Sequence, residues 1–212
     1  MPSATGSQRS QASTRKERAI LDAARDVFLA DPEAPVSAVA KAAGIGMSAL
    51  YLRFPSKEDL VRHLCHRGLR RYVEIAEAAV ALENPWDAFT TFLHDVVLSD
   101  VHTLTVRLAG RFEPTPELGG DAARAAELTS TILRRAVEAG RLRADLRPED
   151  LTLVLDMMSG VRLGSPERTE QLRRRYLTVV LDGLTSDAPS ELPGPAPTPE
   201  EFQARWQRPV AD

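Results

Sequence analysis

Apolar residues recur at three- and four-residue intervals along most of this chain, and this periodicity constrains the fold more than any other feature. Similar segments follow one another as far as Thr185, and none shows the sustained alternation of a β-strand. The pattern predicts an all-α fold. The first segment places five apolar residues on one helix face: Ile20, Leu21, Ala24, Val27 and Phe28.

Composition limits the classes of protein that remain. The 212 residues, 43% of them apolar and 27% charged, are enough for one domain or for a small module and a larger one. The net charge of −3 argues against a chain that coats nucleic acid or membrane with its whole surface, but it leaves room for a local basic face. The sequence has no 18-residue apolar run and no apolar start typical of a signal peptide, so we expect a cytoplasmic protein with no membrane partner. A single cysteine, Cys65, permits no internal disulfide and no CxxC motif.

The chain divides into four parts by composition. Residues 1–14 are polar and are expected to form a mobile arm. Residues 15–60 contain three short helical segments, and residues 61–186 form a larger helical domain. Residues 187–212 hold six of the fifteen prolines, which is typical of a linker-like tail.

The tail leaves two alternatives open. Its proline content favours disorder. Thr198 and Glu201, however, have the spacing of a capping box around Pro199, and Phe202 and Trp206 follow at the i, i+4 spacing of one helix face. The second alternative is therefore a short docked helix over residues 199–207.

Residues 36–54 have the layout of a helix-turn-helix. Two short helical segments flank the glycine-containing turn Gly44-Ile45-Gly46, and a third helix begins at a capping-box variant, with Ser56 placed to cap the Asp59 amide. In this layout the first residues of the second helix reach base edges in the major groove of DNA. The spacing thus predicts binding to double-stranded DNA. The alternative is a tight helix corner in a helical protein with another function.

The residues of this stretch resemble the DNA-binding domain of the TetR family of transcriptional regulators. The resemblance covers about 45 residues, and the rest of the chain matches only the family's general plan of a helical ligand-binding and dimerisation domain. The matching residues are Ile20-Leu21-Ala23-Ala24, Val27-Phe28, Val39-Ala40, Ala43-Gly44-Ile45, Leu50-Tyr51, Phe54, Ser56-Lys57-Glu58 and Leu60.

The resemblance implies roles for particular residues. Met47 and Ser48 would face base edges, and Tyr51 and Lys57 would bind phosphates. The chain departs from the family at three positions, because Pro35 and Ala49 replace threonines and Arg53 replaces a histidine. The full set implied to bind DNA is Ser37, Gly46, Met47, Ser48, Ala49, Tyr51, Arg53 and Lys57.

The family plan also implies a small-molecule site in the larger domain. A helix expected from Ser56 to about Leu82 would join the DNA-binding head to this site, so an effector could tilt it and lower DNA affinity. We therefore expect a repressor that a small apolar effector releases from DNA. The residues expected to line the pocket are Leu69, Tyr72, Phe89, Phe92, Val96, Leu128, Ile132 and Met157.

The last two helical segments carry more apolar surface than one core can bury. Two such adjoining helices predict a four-helix interface with a second copy of the chain, and a two-fold dimer matches a palindromic operator. A thick monomeric core is the alternative. The predicted interface residues are Leu155, Met158, Gly160, Tyr176, Val179, Val180 and Gly183.

Catalytic patterns are weak in this sequence. It lacks GxSxG, a phosphate-binding loop and GxGxxG, and no histidine follows a glutamate at the ExxH spacing. His63 and His66 share a helix face but are expected to be partly exposed helix residues rather than metal ligands. We expect no enzyme activity, no cofactor and no metal. The runner-up is a helical enzyme or small-molecule carrier.

Overall fold

The structure is a computed structural model, and it describes residues 4–108, 110–187 and 190–204. Within these ranges it contains helices and no strand, which confirms the predicted all-α fold; one antiparallel bridge joins Leu142 and Thr185. None of the helices in the described part is long and apolar enough to cross a membrane. The helices are α1 (Ala4–Ala30), α2 (Val36–Ala42), α3 (Met47–Tyr51), α4 (Lys57–Val80), α5 (Pro85–Leu98), α6 (Val101–Leu108), α7 (Pro116–Glu138), α8 (Pro148–Ser159), α9 (Pro166–Gly183) and α10 (Pro199–Gln203).

Helix α4 belongs to both halves of the molecule. It begins as the sequence predicts, since the Ser56 side chain accepts a hydrogen bond from the Asp59 amide at 3.0 Å. Leu60 and Leu64 near its start are buried in the core of the head, whereas Ile75 near its end is buried in the core of the larger domain. A single continuous helix therefore connects the two cores.

The head core is larger than the predicted residues 15–60. Helix α6 packs against α1 and α4, so that Leu104 and Leu108 join the buried cluster of the head, together with Phe112 and Leu118. The chain thus returns to the head after α5, and the packing of the head does not end at residue 60.

Helices α5, α7, α8 and α9 surround the second half of α4 and bury the core of the larger domain. The upper end of α9 is tied to the loop after α7. The Arg143 amide donates to the Leu184 carbonyl, and the Ser186 amide donates to the Arg141 carbonyl, both at 3.1 Å. These bonds satisfy backbone groups that the end of α9 would otherwise leave unpaired.

Asp100 forms the corner between α5 and α6. The sequence predicts a kink or break near Ser99, and the structure confirms it, with α5 ending at Leu98 and α6 beginning at Val101. Asp100 has a φ of 57°, in the left-handed region that a short polar side chain tolerates better than most. The corner turns the chain back toward the head.

The two ends of the chain differ from the expectation in helical content. Helix α1 starts at Ala4, so residues 4–14 continue the helix instead of forming a separate arm; no proline interrupts them, and each residue added to an existing helix gains a hydrogen bond. In the tail, the capping box forms as predicted, with Thr198 Oγ1 accepting from the Glu201 amide at 3.4 Å. Helix α10 is shorter than residues 199–207, and Trp206 lies outside the described residues.

Candidate nucleic-acid interface

The turn between α2 and α3 depends on one left-handed residue. Gly44 has a φ of 65°, and this lets the Ile45 amide reach back to the Ala40 carbonyl at 3.0 Å and close α2. Gly46 is extended, and its carbonyl accepts from the Ala49 and Leu50 amides to begin α3. The predicted helix-turn-helix is thus formed.

Helix α3 has one buried anchor and an exposed outer face. Leu50 is fully buried beside Phe54 in the head core. Met47 is 37% exposed and Tyr51 is 46% exposed, and Ser48 is also exposed. The residues expected to face base edges and phosphate therefore lie on the surface of a helix held in place by its opposite side.

The remaining predicted DNA contacts lie around this face. Ser37 and Gly46 are exposed, and Ala49 is half-buried. Pro35 begins α2 without a side-chain cap, which follows from the missing threonine hydroxyl. Arg53 is half-buried and donates from Nη1 to the Ala49 carbonyl at 3.2 Å, while its Nε is buried with no partner among the described residues.

Lys57 is held within the head. Its Nζ donates to the carbonyl oxygens of Ala34 at 2.9 Å, Glu33 at 3.3 Å and Pro32 at 3.5 Å, and it lies 5.4 Å from the centre of the Phe28 ring. The ammonium group thus completes the turn between α1 and α2. A phosphate contact through this group would require it to exchange those carbonyls for the ligand.

Arginines from later in the chain change the charge of the head. Residues 1–60 alone hold eight basic and seven acidic side chains. Arg67 pairs with Asp22, Arg62 pairs with Asp59, and Arg111 pairs with Glu33 at 2.6 Å. Because these partners come from outside the first 60 residues, the head is more basic than a count over its own sequence indicates.

The predicted pocket residues mostly share one core. Tyr72 packs edge-on against Phe92, 5.4 Å between ring centres, and its hydroxyl lies 3.0 Å from Thr129 Oγ1. Burial raises the pKa of Tyr72 to about 12. Leu69 packs against the head core instead. The predicted pocket residues buried in the core of the larger domain are Phe89, Phe92, Val96, Leu128 and Ile132.

Met157 was expected in the interior but lies on the surface, 63% exposed. The assignment is wrong because α8 is apolar on nearly every side, so periodicity does not show which side faces the core. Leu155 and Met158, predicted at the dimer interface, are each 3% exposed and packed inside the chain's own core. The residues of α8 that face outward are Leu153 and Met157.

The outer face of α9 agrees better with the predicted interface. Tyr176 and Val179 are exposed, Val179 at 63%, Gly160 and Gly183 are exposed, and Val180 is half-buried. Together with Leu153 and Met157 they form the apolar face of α8 and α9. An exposed apolar face of this kind marks a site of association.

The two histidines considered as metal ligands have other partners. His63 Nδ1 lies 2.8 Å from the Asp59 carbonyl oxygen, and His66 Nε2 lies 2.9 Å from an Asp121 carboxylate oxygen on α7. The described residues contain no group of three His, Cys, Asp or Glu side chains placed to hold a metal ion.

A charged cavity lies where sequence reasoning predicted no site. It has a volume of about 420 Å³ and lies between the α5–α6 corner, the loop after α8 and the first turns of α9; we call it the corner cavity. Arg173 Nη1 and Arg162 Nη2 both donate to Asp100 Oδ1, at 2.6 Å and 2.8 Å. The sequence signal was small: Arg173 belongs to a run of three arginines, and only its position on the buried side of α9 distinguishes it.

Comparisons with known proteins agree with this architecture. The family model of bacterial regulatory proteins, tetR family, matches residues 20–64, and the model of the SbtR-like transcriptional regulator C-terminal domain matches residues 84–186. The chain is 33% identical over 114 residues to the HTH-type transcriptional repressor LfrR of Mycolicibacterium smegmatis. That match covers 51% of this chain and 58% of the relative, less than two thirds of the relative's length.

Solved structures extend the comparison to most of the chain. A TetR transcription regulatory protein from Mycobacterium vanbaalenii is 27% identical, with a TM-score of 0.56 over 82% of this chain and 98% of that one. The structure of LfrR from Mycobacterium smegmatis in complex with proflavine is 23% identical, with a TM-score of 0.62 over 84% of this chain and 99% of that one. The second likeness shows the fold alone.

A helix-turn-helix head carried by an all-helical second domain, with a regulator family model matching each part, defines a DNA-binding transcriptional regulator. The chain belongs to the TetR family of transcriptional regulators.

Proposed function

We propose that the protein is a homodimeric repressor that inserts α3 of each subunit into the major groove of a palindromic operator. The observation that carries the proposal is the exposed face of α3, with Met47, Ser48 and Tyr51 outward while Leu50 fixes the helix from behind. Side chains at the start of a recognition helix read base edges, and neighbouring groups hold phosphates.

Dimer formation supplies the second head. The apolar face of α8 and α9, which includes Leu153, Met157, Tyr176 and Val179, has no intramolecular cover. In a two-fold dimer this face meets its own copy, so that the four helices exclude water from both. Two heads then contact two half-sites about one helical turn apart.

The proposed effector is a small apolar molecule in the core of the larger domain. Phe89 and Phe92 would give it an aromatic lining, and the Tyr72 hydroxyl beside Thr129 would give it one polar group. An effector can enter this filled core only by separating its helices, which displaces α4 and with it the head. The LfrR structure holds proflavine, and this supports a small-molecule ligand for a protein of the same fold.

A gel shift tests the proposal. The full chain is titrated onto DNA from upstream of its own gene, at 50 and 200 mM salt, with and without unrelated competitor DNA. We expect a complex that survives competition, contains two subunits and weakens steeply with salt. A chain that binds no DNA under these conditions but binds small molecules would favour the helical carrier instead.

A further inference from the structure

The corner cavity has an excess of positive charge. Arg162 and Arg173 share one carboxylate, Asp100, and even share the same oxygen atom of that carboxylate. Glu170 also lines the cavity, but it is paired with Arg174 at 2.8 Å. The two guanidinium groups and Asp100 therefore leave one uncompensated positive charge at the cavity wall.

Arg162 is the less satisfied of the two guanidinium groups. Arg173 is 3% exposed and donates further bonds to the carbonyls of Val97 and Val161, both at 3.2 Å. Arg162 donates to Asp100, but its Nε is buried with no partner among the described residues. Burial lowers the pKa of Arg162, and the neighbouring charges of Arg173 and Arg107 lower it further, although Asp100 opposes them. An anion placed beside Arg162 would relieve this repulsion.

The rest of the cavity wall is suited to a short apolar group. Leu98, Leu163 and Pro166 line it, and Thr169 contributes a hydroxyl. A volume of about 420 Å³ falls within the range of small-molecule sites. One positive charge balances a single carboxylate, whereas a doubly charged phosphate would add repulsion from Asp100.

We propose that the corner cavity binds a small molecule that carries one carboxylate and a short apolar chain, with the carboxylate against Arg162. Guanidinium groups suit this ligand because their paired N–H groups match the two oxygens of a carboxylate. The site differs in place and in ligand charge from the apolar core around Phe92.

The cavity is positioned to act on the head through α6. Asp100 immediately precedes α6, and near the other end of α6 Arg107 Nη1 donates to the Leu29 carbonyl at the end of α1, at 2.6 Å. A ligand that draws Arg162 away from Asp100 loosens the corner that fixes the start of α6. The effect on DNA rests on the proposed function, whereas binding to the cavity does not.

Calorimetry on the full chain tests binding, with octanoate as the probe and octan-1-ol and octylamine as its uncharged and cationic counterparts. We expect octanoate to bind more tightly than either. Arg162→Gln should weaken octanoate binding about tenfold, because one charge-assisted contact is lost. Arg168→Gln is the matched control, since this exposed arginine of the first turn of α9 bonds to Gln171 and should leave binding unchanged.

A second variant keeps the test decisive if Arg162→Gln is poorly folded. Glu170→Gln removes a negative charge from the cavity wall and should tighten octanoate binding about threefold. Equal octanoate affinity in Arg162→Gln and the unmodified chain, or tighter binding of octylamine than of octanoate, would overturn the site.

Operator binding is then measured with and without octanoate. Reduced operator affinity in octanoate supports the link through α6. Unchanged affinity overturns that link and leaves the site intact, whereas a chain that binds no operator even without octanoate overturns the proposed function instead.

Discussion

Lys57 Nζ donates a hydrogen bond to the Ala34 carbonyl oxygen at 2.9 Å and thereby ties the start of α4 to the turn before α2. This bond gives the lysine a structural role in addition to the phosphate contact expected from the sequence. The two roles make different predictions for its removal.

Lys57→Met keeps the aliphatic stem and removes the ammonium group. We expect the free energy of unfolding to fall by about 1 to 2 kcal/mol, because three carbonyl groups lose a charged donor. Urea denaturation followed by circular dichroism measures this. Lys41→Met, at an exposed position of α2, is the control. A stability equal to that of the control would show that the carbonyl contacts contribute nothing, and a salt slope of DNA binding smaller by about 0.9 would show that the ammonium also reaches a phosphate.

Tyr51→Phe removes one hydroxyl from the exposed face of α3. Operator affinity should fall about fivefold, since a neutral hydrogen bond contributes about 1 kcal/mol. The salt slope should not change, because no charge is lost. Fluorescence anisotropy with labelled operator measures both quantities, and Tyr176→Phe on α9 is the control at similar exposure. An unaffected operator affinity would remove the Tyr51 hydroxyl from the interface.

Val179→Glu places a carboxylate on the apolar face of α8 and α9. We expect monomers that remain folded, because Val179 is exposed in the single chain but would be buried in the dimer. Sedimentation velocity measures the mass. Thr178→Glu adds the same charge about 100° further round α9, on its polar side, and should stay dimeric. A dimeric Val179→Glu protein would place the interface elsewhere.

Asp100→Asn leaves Arg173 buried without its carboxylate partner. Breaking a buried pair in this way costs about 3 to 5 kcal/mol, and Arg162 retained nearby adds repulsion. Asparagine tolerates the left-handed backbone of this corner, so the loss reports the charge and not backbone strain. Thermal denaturation compared with the exposed Asp95→Asn variant checks it, and equal melting temperatures would contradict the prediction.

Stability should fall in mild acid partly because of His94. Burial lowers the pKa of His94, and the nearby Arg174 charge lowers it further, against an opposing effect of Asp95. The folded protein therefore binds a proton at this site less readily than the unfolded chain. This contribution is complete above the ordinary histidine pKa of about 6.5 and is lost as the pH falls below it. His94→Gln should show a smaller loss of stability between pH 7.5 and pH 5 than the unmodified protein, and an identical pH profile would exclude His94 as a cause.

Local sequence signals predicted the parts of the fold that local chemistry determines. The Ser56 cap, the Gly44 turn and the break before α6 each depend on a few neighbouring residues, and the structure confirms all three. The exposure of Tyr51 followed from the same short-range pattern, since Leu50 beside it had to be the anchor.

Long-range packing explains what the sequence did not show. Helix α8 is apolar on nearly all sides, so the choice of Met158 over Met157 for the core depends on where α6 and α9 lie. Arg173 meets Asp100 across 73 residues, and no periodicity predicts such a pair. The corner cavity was missed for the same reason, because its wall is assembled from three separate segments.

Helix α9 is fastened at both ends, by Arg173 at the α5–α6 corner and by the backbone bonds around Leu184 and Ser186 at the other end. A helix held in this way does not slide within its own domain. Each subunit therefore pivots as a solid lever about the surface that α9 offers to its partner. A small rotation at that pivot is magnified along the length of α4, so the distance between two heads becomes the quantity that a ligand adjusts.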